Sequence, residues 1–98
     1  MNVISAKGLR ELAAGKSRDV QKDVQAWYKM ARAAVWRSFE DVRRHVNDAD
    51  MVKGLLVFNI CGNRDRLIVS PAFVMQRLYV KGLLTHKEYE RGAWRKPK

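Results

Sequence analysis

One cysteine, Cys61, in 98 residues excludes an internal disulfide and any zinc site built on thiolates. Proline and glycine are scarce, at two and six residues, while 47% of the chain is hydrophobic, so wholesale disorder is excluded. No apolar run approaches the length of a bilayer span. No basic segment followed by an apolar stretch opens the chain, so no signal peptide is expected. The expectation is a cytoplasmic protein with no membrane partner. Acidic residues are also short: ten against twenty Lys and Arg, a formal net charge of +10. In one small domain, spanning 1–98, that excess implies a polyanionic partner, with nucleic acid foremost. There is no paired carboxylate, no His–Cys cluster and no phosphate-binding Gly-rich loop. Asp48 and Asp50 are too few for a metal set. Neither a metal nor another cofactor is expected.

What is present organises by periodicity. Asn2 to Ser5 is a short extended start, and Ser5 is placed to cap a helix that carries Leu9, Leu12 and Ala13 and stops at Gly15. Ser17 caps a second helix, with Asp19 in its first turn. Val20, Val24, Trp27, Tyr28, Ala31, Ala34 and Val35 recur at three and four, which predicts one amphipathic helix to about Trp36. Ser38-Phe39-Glu40-Asp41 resembles a capping box for a third helix, buried through Phe39, Val42 and Val46. Asn47 to Asp50 is a loop. Strands are expected over Leu55–Cys61, Arg64–Ser70 and Gln76–Leu84, with Pro71 ending the second because it has no ladder donor. His86 to Arg91 is a final turn of helix, followed by Trp94 and the tail Arg95-Lys96-Pro97-Lys98.

Gly62-Asn63 reads as a two-residue hairpin turn, and that sets the register. Cys61 then faces Arg64, Ile60 faces Asp65, Asn59 faces Arg66, and Phe58 faces Leu67. Alternation places Leu56, Phe58, Ile60, Leu67 and Val69 on an oily face, with Asp65 at its rim. Val57, Asn59, Cys61, Arg64, Arg66 and Ile68 take the other. The third strand divides into Leu78, Val80, Gly82 and Leu84 against Arg77, Tyr79, Lys81 and Leu83. If the oily sides align, Asn59, Arg64, Arg66, Arg77, Tyr79 and Lys81 share a basic face, with His86 and Tyr89 just beyond it; a bulge would flip part of this assembly. Singly, Arg64 or Lys81 is an ordinary solvated cation on the wet side of a sheet. Together beside a histidine, these groups suit a phosphodiester. His45 reads as a surface or structural residue, and Cys61 as a small hydrophobe. The Trp and Met residues read mostly as core.

RNA is cut without a metal when the 2′-hydroxyl is deprotonated and attacks the adjacent phosphate. Cations stabilise the phosphorane, and an acid protonates the leaving 5′-oxygen. His86 suits the acid or base role, with Tyr89 and Lys81 as further proton-transfer groups. Arg66 and Arg64 suit bidentate phosphate clamping. Thus His86, Tyr89, Arg66 and Lys81 are the candidate catalytic residues. Asn59, Asn63, Arg64, Arg77 and Tyr79 are the candidate RNA contacts, Tyr79 by stacking on a base.

The run Val57-Phe58-Asn59-Ile60 with Gly62-Asn63-Arg64 and Arg66-Leu67, then Tyr79-Val80-Lys81 and Thr85-His86-Lys87-Glu88-Tyr89, resembles the HigB-type toxins of bacterial toxin–antitoxin systems. Val3-Ile4-Ser5, Ala26-Trp27-Tyr28 and Trp36 with Phe39-Glu40-Asp41-Val42 are similar too, so the resemblance covers nearly the whole chain. It implies an α+β, RelE-like fold: a small antiparallel-rich sheet with the N-terminal helices packed on one face. It also implies an mRNA endoribonuclease, or mRNA interferase, acting on ribosome-bound message to inhibit translation and growth. The implied partner is a HigA-type antitoxin with a helix-turn-helix domain, through which the complex meets operator DNA. Arg64, Arg66, His86 and Tyr89 match positions of the family motif. Lys81 stands where Arg is frequent, Asp65 where an aromatic or apolar residue is common, Ser70-Pro71 where many members continue the strand, and Glu90 where Asp is usual.

Two other functions share these features. A non-catalytic RNA- or ribosome-binding module on the same fold needs the basic face but not His86. A gyrase poison, known in the wider superfamily, would change DNA supercoiling without decay of messages. An acidic antitoxin segment covering the basic face would be weakened by Arg64→Glu with Arg66→Glu.

Overall fold

The computed structural model describes residues 1–92 and Trp94; the basic tail Arg95-Lys96-Pro97-Lys98 lies outside the described residues. Strand β1 (Asn2–Ile4) leads into helices α1 (Ala6–Ala14), α2 (Arg18–Ala33) and α3 (Phe39–His45). Strands β2 (Asp50–Val52), β3 (Leu55–Ile60), β4 (Asp65–Ala72) and β5 (Arg77–Thr85) follow, and helix α4 (His86–Arg91) comes after them. The fold is α+β. Its five strands form one sheet in the order β1-β5-β4-β3-β2, antiparallel except where β1 lies parallel to β5.

The helices begin where short polar side chains satisfy the first free amides. Ser17 accepts from Val20 N and Ser38 from Asp41 N. Ser5 departs from expectation. It takes a left-handed conformation at φ 72° and its side chain makes no cap bond. The expected capping box of α3 is also redirected: the Asp41 carboxylate accepts from Arg37 N at 2.9 Å. Helix α2 ends at Ala33 rather than near Trp36. The Met1 ammonium donates to the carbonyls of Ala31, Arg32 and Ala34, so the acceptors that a longer helix would use are taken, and Ala34 turns extended.

Burial follows the apolar stripes. Val20, Val24, Trp27 and Ala31 of α2, with Leu9 of α1 and Val42 of α3, pack against Leu56, Phe58, Ile60, Leu67, Val69 and Leu78 of the sheet. Phe58 is the centre, edge-on to Trp27 at 5.3 Å and stacked on Trp36 at 6.0 Å. His45 is exposed and accepts from the Trp36 indole N–H at 3.3 Å, a structural role. Met75 is exposed and Trp94 half-buried, so neither is core.

The β3–β4 register is the one expected, with Asn59 opposite Arg66 and Phe58 opposite Leu67. Gly62 takes φ 66° at the first corner of the turn, and Arg64 N closes it onto Cys61 O; Cys61 is itself left-handed at φ 51°, so the ladder stops at the Ile60–Asp65 pair and Cys61 packs toward the core rather than on the outer face expected for it. Three features of the sheet differ from the reading of the sequence. Strand β2 replaces part of the expected loop. It is joined to β3 by Lys53-Gly54, whose φ values of 51° and 81° suit a tight two-residue turn. Strand β4 runs through Pro71 to Ala72. Beyond Val69 it pairs only with β5, so the missing N–H falls where no third strand needs it. Finally, the β4–β5 ladder is irregular between Ile68 and Val69, which pair with Gly82 and Val80. Lys81 is the extra residue of this bulge. It reverses the facing of the strand beyond it, so Leu83 pairs with Leu67 and is buried in the core, and Leu84 pairs with Arg66 on the other face.

Not all helices lie on the first face. Helix α4 contacts β4 and β5 and brings His86 and Tyr89 to Arg66, on the face away from α1, α2 and α3. Thr85 and Glu88 form a complete capping box at its start. The bonds from the Thr85 backbone and hydroxyl hold the Glu88 carboxyl below its usual range. The folded form therefore favours the carboxylate. This stabilisation is complete above the ordinary carboxylate pKa and is lost as pH falls through the lowered one. Thr85→Ala should destabilise the protein by about 1 kcal/mol, read by thermal unfolding at neutral pH, and the difference from wild type should shrink in acid. An equal difference at both pH values would deny the box that role.

Candidate functional site

Arg66 is the residue around which the site is built. It projects from β4 to the outer face yet is only 8% exposed. Its Nη1 donates to Asp65 O at 3.3 Å, and Nη2 donates to Asn63 Oδ1 at 2.9 Å. The same Nη2 lies 3.4 Å from His86 Nδ1. The guanidinium also sits over the Tyr89 ring, 5.3 Å from its centroid. Among the described residues no carboxylate forms an ion pair with Arg66. A buried cation is ordinarily matched by an anion, and among the described residues this one meets a carbonyl, an amide oxygen, an imidazole nitrogen and an aromatic face.

His86 is the first residue of α4, and its backbone N–H donates to Arg64 O at 3.0 Å, which ties the helix to the hairpin. Its Nε2 lies 3.5 Å from Glu90 Oε1, one helical turn on. Because the guanidinium donates to Nδ1, that nitrogen is the acceptor and the ring proton belongs on Nε2, toward Glu90. Tyr89 is stacked on Trp94 with centroids 5.0 Å apart, and the Trp94 indole N–H donates to Tyr89 O at 3.0 Å.

The hairpin that carries Asn63 and leads into Arg66 is held from the helix side. Lys16, just past α1, pairs with Asp65 at 2.9 Å, with Asp65 only 7% exposed in its side chain. Asp23 of α2 accepts from Cys61 N at 2.8 Å, and Asp19 faces Arg64 at 4.0 Å. Asp65 is thus a buried partner of Lys16 rather than a residue at the rim. Cys61 is half-buried. Burial, followed by the charge of Asp23, pushes its thiol pKa up, so it remains a thiol at neutral pH and is a poor nucleophile.

The sequence-derived residues divide into groups. Asn63, Arg66, His86 and Tyr89 come together. Lys81 is exposed beside them, lining a groove with Ile68, Leu84 and Trp94. Asn59 lies across the ladder from Arg66, its amide donating to Asp48 at 3.1 Å. Arg64 turns toward Asp19 on α2. Tyr79 pairs with Ser70, four residues and ~13 Å along β4 from Arg66, and its hydroxyl accepts from Arg77 at 3.5 Å. Arg77 and Tyr79 therefore share the face but not the cluster. Three contributors were missed. Glu90 was visible as a carboxylate four residues after His86, and the capping box as Thr85-x-x-Glu88. The Trp94 stack carried no local signal. Among the described residues, His, Cys, Asp and Glu form no group of three or more able to hold a metal ion, and no helix is long and apolar enough to cross a membrane.

This is a basic α+β domain with a guanidinium–imidazole–phenol cluster at one end of its sheet. The chain belongs to the HigB toxin family, the RelE-like toxic component of a toxin-antitoxin system, whose family model matches residues 20–92. No curated protein matches it. Membership makes the chain the toxin of a toxin–antitoxin pair and implies an antitoxin partner.

Proposed function

We propose that this toxin is a metal-independent endoribonuclease that cuts mRNA at the Arg66–His86–Tyr89 cluster and thereby inhibits translation and growth in the cytoplasm. The observation that carries the reading is the buried Arg66 guanidinium, held against His86 with no carboxylate ion pair among the described residues. A phosphodiester supplies the missing anion in a form that the planar fork can grip.

In the free protein Arg66 Nη2 occupies the lone pair of His86 Nδ1. A phosphate that takes up Nη2 releases Nδ1 as the base for the neighbouring 2′-hydroxyl. The 2′-oxygen then bonds to phosphorus, the P–O5′ bond breaks, and the 5′-oxygen takes a proton from Tyr89 or Lys81. The products are a 2′,3′-cyclic phosphate and a 5′-hydroxyl. Arg66 stabilises the charge that develops on the phosphorane. Asn63 keeps the guanidinium in place, while Asn59, Arg77 and Tyr79 extend the RNA path along the face. The message is met on the ribosome, and a HigA-type helix-turn-helix antitoxin is the partner that restrains the toxin and links it to operator DNA.

The test is to incubate the protein with translating ribosomes and message in the presence of a chelator, and to determine the chemistry of new RNA ends. Cyclic phosphate and 5′-hydroxyl ends are expected. His86→Ala should lower cleavage by about 10²-fold or more while leaving RNA binding intact. Binding without cleavage in the wild-type protein would assign it to a non-catalytic module. Undiminished cleavage by His86→Ala would remove His86 from the chemistry.

A further inference from the structure

Three of the four large apolar side chains exposed among the described residues gather at one end of the molecule: Val35 at 63%, Val74 at 100% and Met75 at 56%. We propose that this end anchors the antitoxin, taking an acidic amphipathic segment whose apolar side covers Val35, Val74 and Met75; this rests on membership of the toxin family and not on the ribonuclease reading.

The patch is built by a turn whose residues are not those of an ordinary exposed turn. Between β4 and β5 the chain reads Phe73-Val74-Met75-Gln76, without the Gly, Pro, Asn or Asp that solvent-facing turns favour. Gln76 takes the left-handed conformation at φ 55°, which suits Gly or Asn and is unfavourable for a longer side chain. It is held there by its own bonds. Its backbone N–H and its side-chain amide both donate to Phe73 O, at 3.1 Å and 2.9 Å, and the amide also donates to Trp36 O at 2.8 Å. The last bond ties the turn to the segment that follows α2, so Val74 and Met75 share an end of the molecule with Val35. Water gives no reason to present apolar side chains on a fixed, strained turn, whereas a covering partner does. Because the turn is already held, little freedom is lost on docking.

Charge selects the partner. Neither residues 24–39 nor residues 66–87, the stretches that build this end, contain an Asp or a Glu. Arg37 and Arg77 are exposed and lie two positions beyond Val35 and Met75. Glu40 and Asp41 follow in the first turn of α3, where the helix dipole favours them, and Asp41 is engaged by the Arg37 N–H and by Arg44. A second copy of this chain, at a net charge of +10, would bring like charges together across the patch. An antitoxin segment that is apolar on one side and carries Asp or Glu on the other meets both features. Location sets what the contact does. Ala72, at the end of β4, lies six residues and ~20 Å along the strand from Arg66. The segment therefore holds the toxin without entering the Arg66–His86–Tyr89 cluster, and supplies affinity rather than a plug.

The experiment titrates the full-length toxin with the antitoxin encoded beside it, by calorimetry. Val74→Asp with Met75→Asp should weaken the complex by roughly 30-fold or more, the level of a hot-spot loss. The melting temperature should not change, since both side chains are exposed. Val35→Asp should act in the same direction. Arg37→Glu should weaken binding several-fold, and Arg37→Lys should not. Leu12→Asp, at the exposed apolar residue of α1, should leave the affinity as it is. In cells, the toxin with Val74→Asp and Met75→Asp should arrest growth as the wild type does and resist rescue by co-expressed antitoxin. Unaltered affinity and rescue overturn the anchor. An equal loss in Leu12→Asp overturns it too, by moving the interface to the helices. A gain in affinity from Arg37→Glu would deny the acidic partner. A wild-type dimer that the double variant turns into a monomer would give the patch to a second copy. Titration does not need cleavage, so a toxin that binds as expected yet cuts no RNA keeps the anchor and loses the ribonuclease reading.

Discussion

Arg66→Met is expected to lower message cleavage by about 10²–10³-fold, the range for loss of a single charge-stabilising donor, while the melting temperature stays level or rises. Both halves follow from the same geometry. The guanidinium is buried and meets a carbonyl, an amide oxygen and an imidazole nitrogen. Desolvating it is unfavourable, and no ion pair with a carboxylate of the described residues offsets the penalty. Methionine fills a similar volume and has no charge to desolvate. Arg66→Lys should lose nearly as much cleavage, because an ammonium cannot bridge Asn63 and His86 while lying flat on Tyr89. Initial cleavage rates beside thermal unfolding curves decide the matter. A drop of several degrees together with the loss of activity would make Arg66 a structural residue and withdraw it from the chemistry.

Lys16→Met is expected to destabilise the fold by about 3 kcal/mol, the range seen when one partner of a buried pair is removed. Lys16 and Asp65 are 22% and 7% exposed in their side chains and 2.9 Å apart. The contact is a close ion pair rather than an aligned hydrogen bond, so the ammonium charge is what keeps the Asp65 carboxylate tolerable inside. Adding Asp65→Leu to Lys16→Met should recover most of the loss, because the orphaned charge goes with it. Denaturant unfolding of the two single variants and the double variant gives the coupling directly. A single-variant loss below ~0.5 kcal/mol would show a solvated pair of little consequence. The pair also bears on function. Asp65 neighbours Arg66 and supplies the carbonyl that Nη1 uses, so Lys16 anchors the strand from which the guanidinium projects. Asp65 would otherwise be a buried carboxylate without a counter-charge, and Lys16 supplies one.

Two further positions find similar answers. Ser70-Pro71 sits where β4 has already outrun β3, so the proline takes no donor from the β3–β4 ladder. Glu90 reaches the His86 Nε2 across one helical turn.

Much of the architecture was legible locally. The period of α2, the Ser17 and Ser38 caps and the tight turn at Gly62-Asn63 are short-range features, and each acts within a few residues of itself. From them came the helices, the hairpin register, and the pairing of Asn59 with Arg66 and Phe58 with Leu67. Composition and charge carried the expectation of a polyanionic partner, since net charge does not depend on conformation. Strand β2 was missed although Lys53-Gly54 marked its turn, because three residues are too few to show alternation.

What the sequence by itself determined was thus which segments are helix or strand, which hairpin residues share a face, and which side chains are able to handle a phosphodiester. The tertiary structure alone decided where those side chains meet. The bulge at Lys81 exchanged the facing of Leu83 and Leu84, and nothing in β5 announced it, because a bulge is set by the fit of two strands rather than by either one. The parallel seat of β1 on β5 and the docking of α4 across the outer face are likewise long-range packing choices. The last of these brought His86 and Tyr89 to Arg66, twenty and twenty-three positions away in the chain, while Tyr79 and Arg77 on the same face remained apart. Local spacing carries the information for elements and faces; convergence of distant side chains depends on which surfaces bury best against each other.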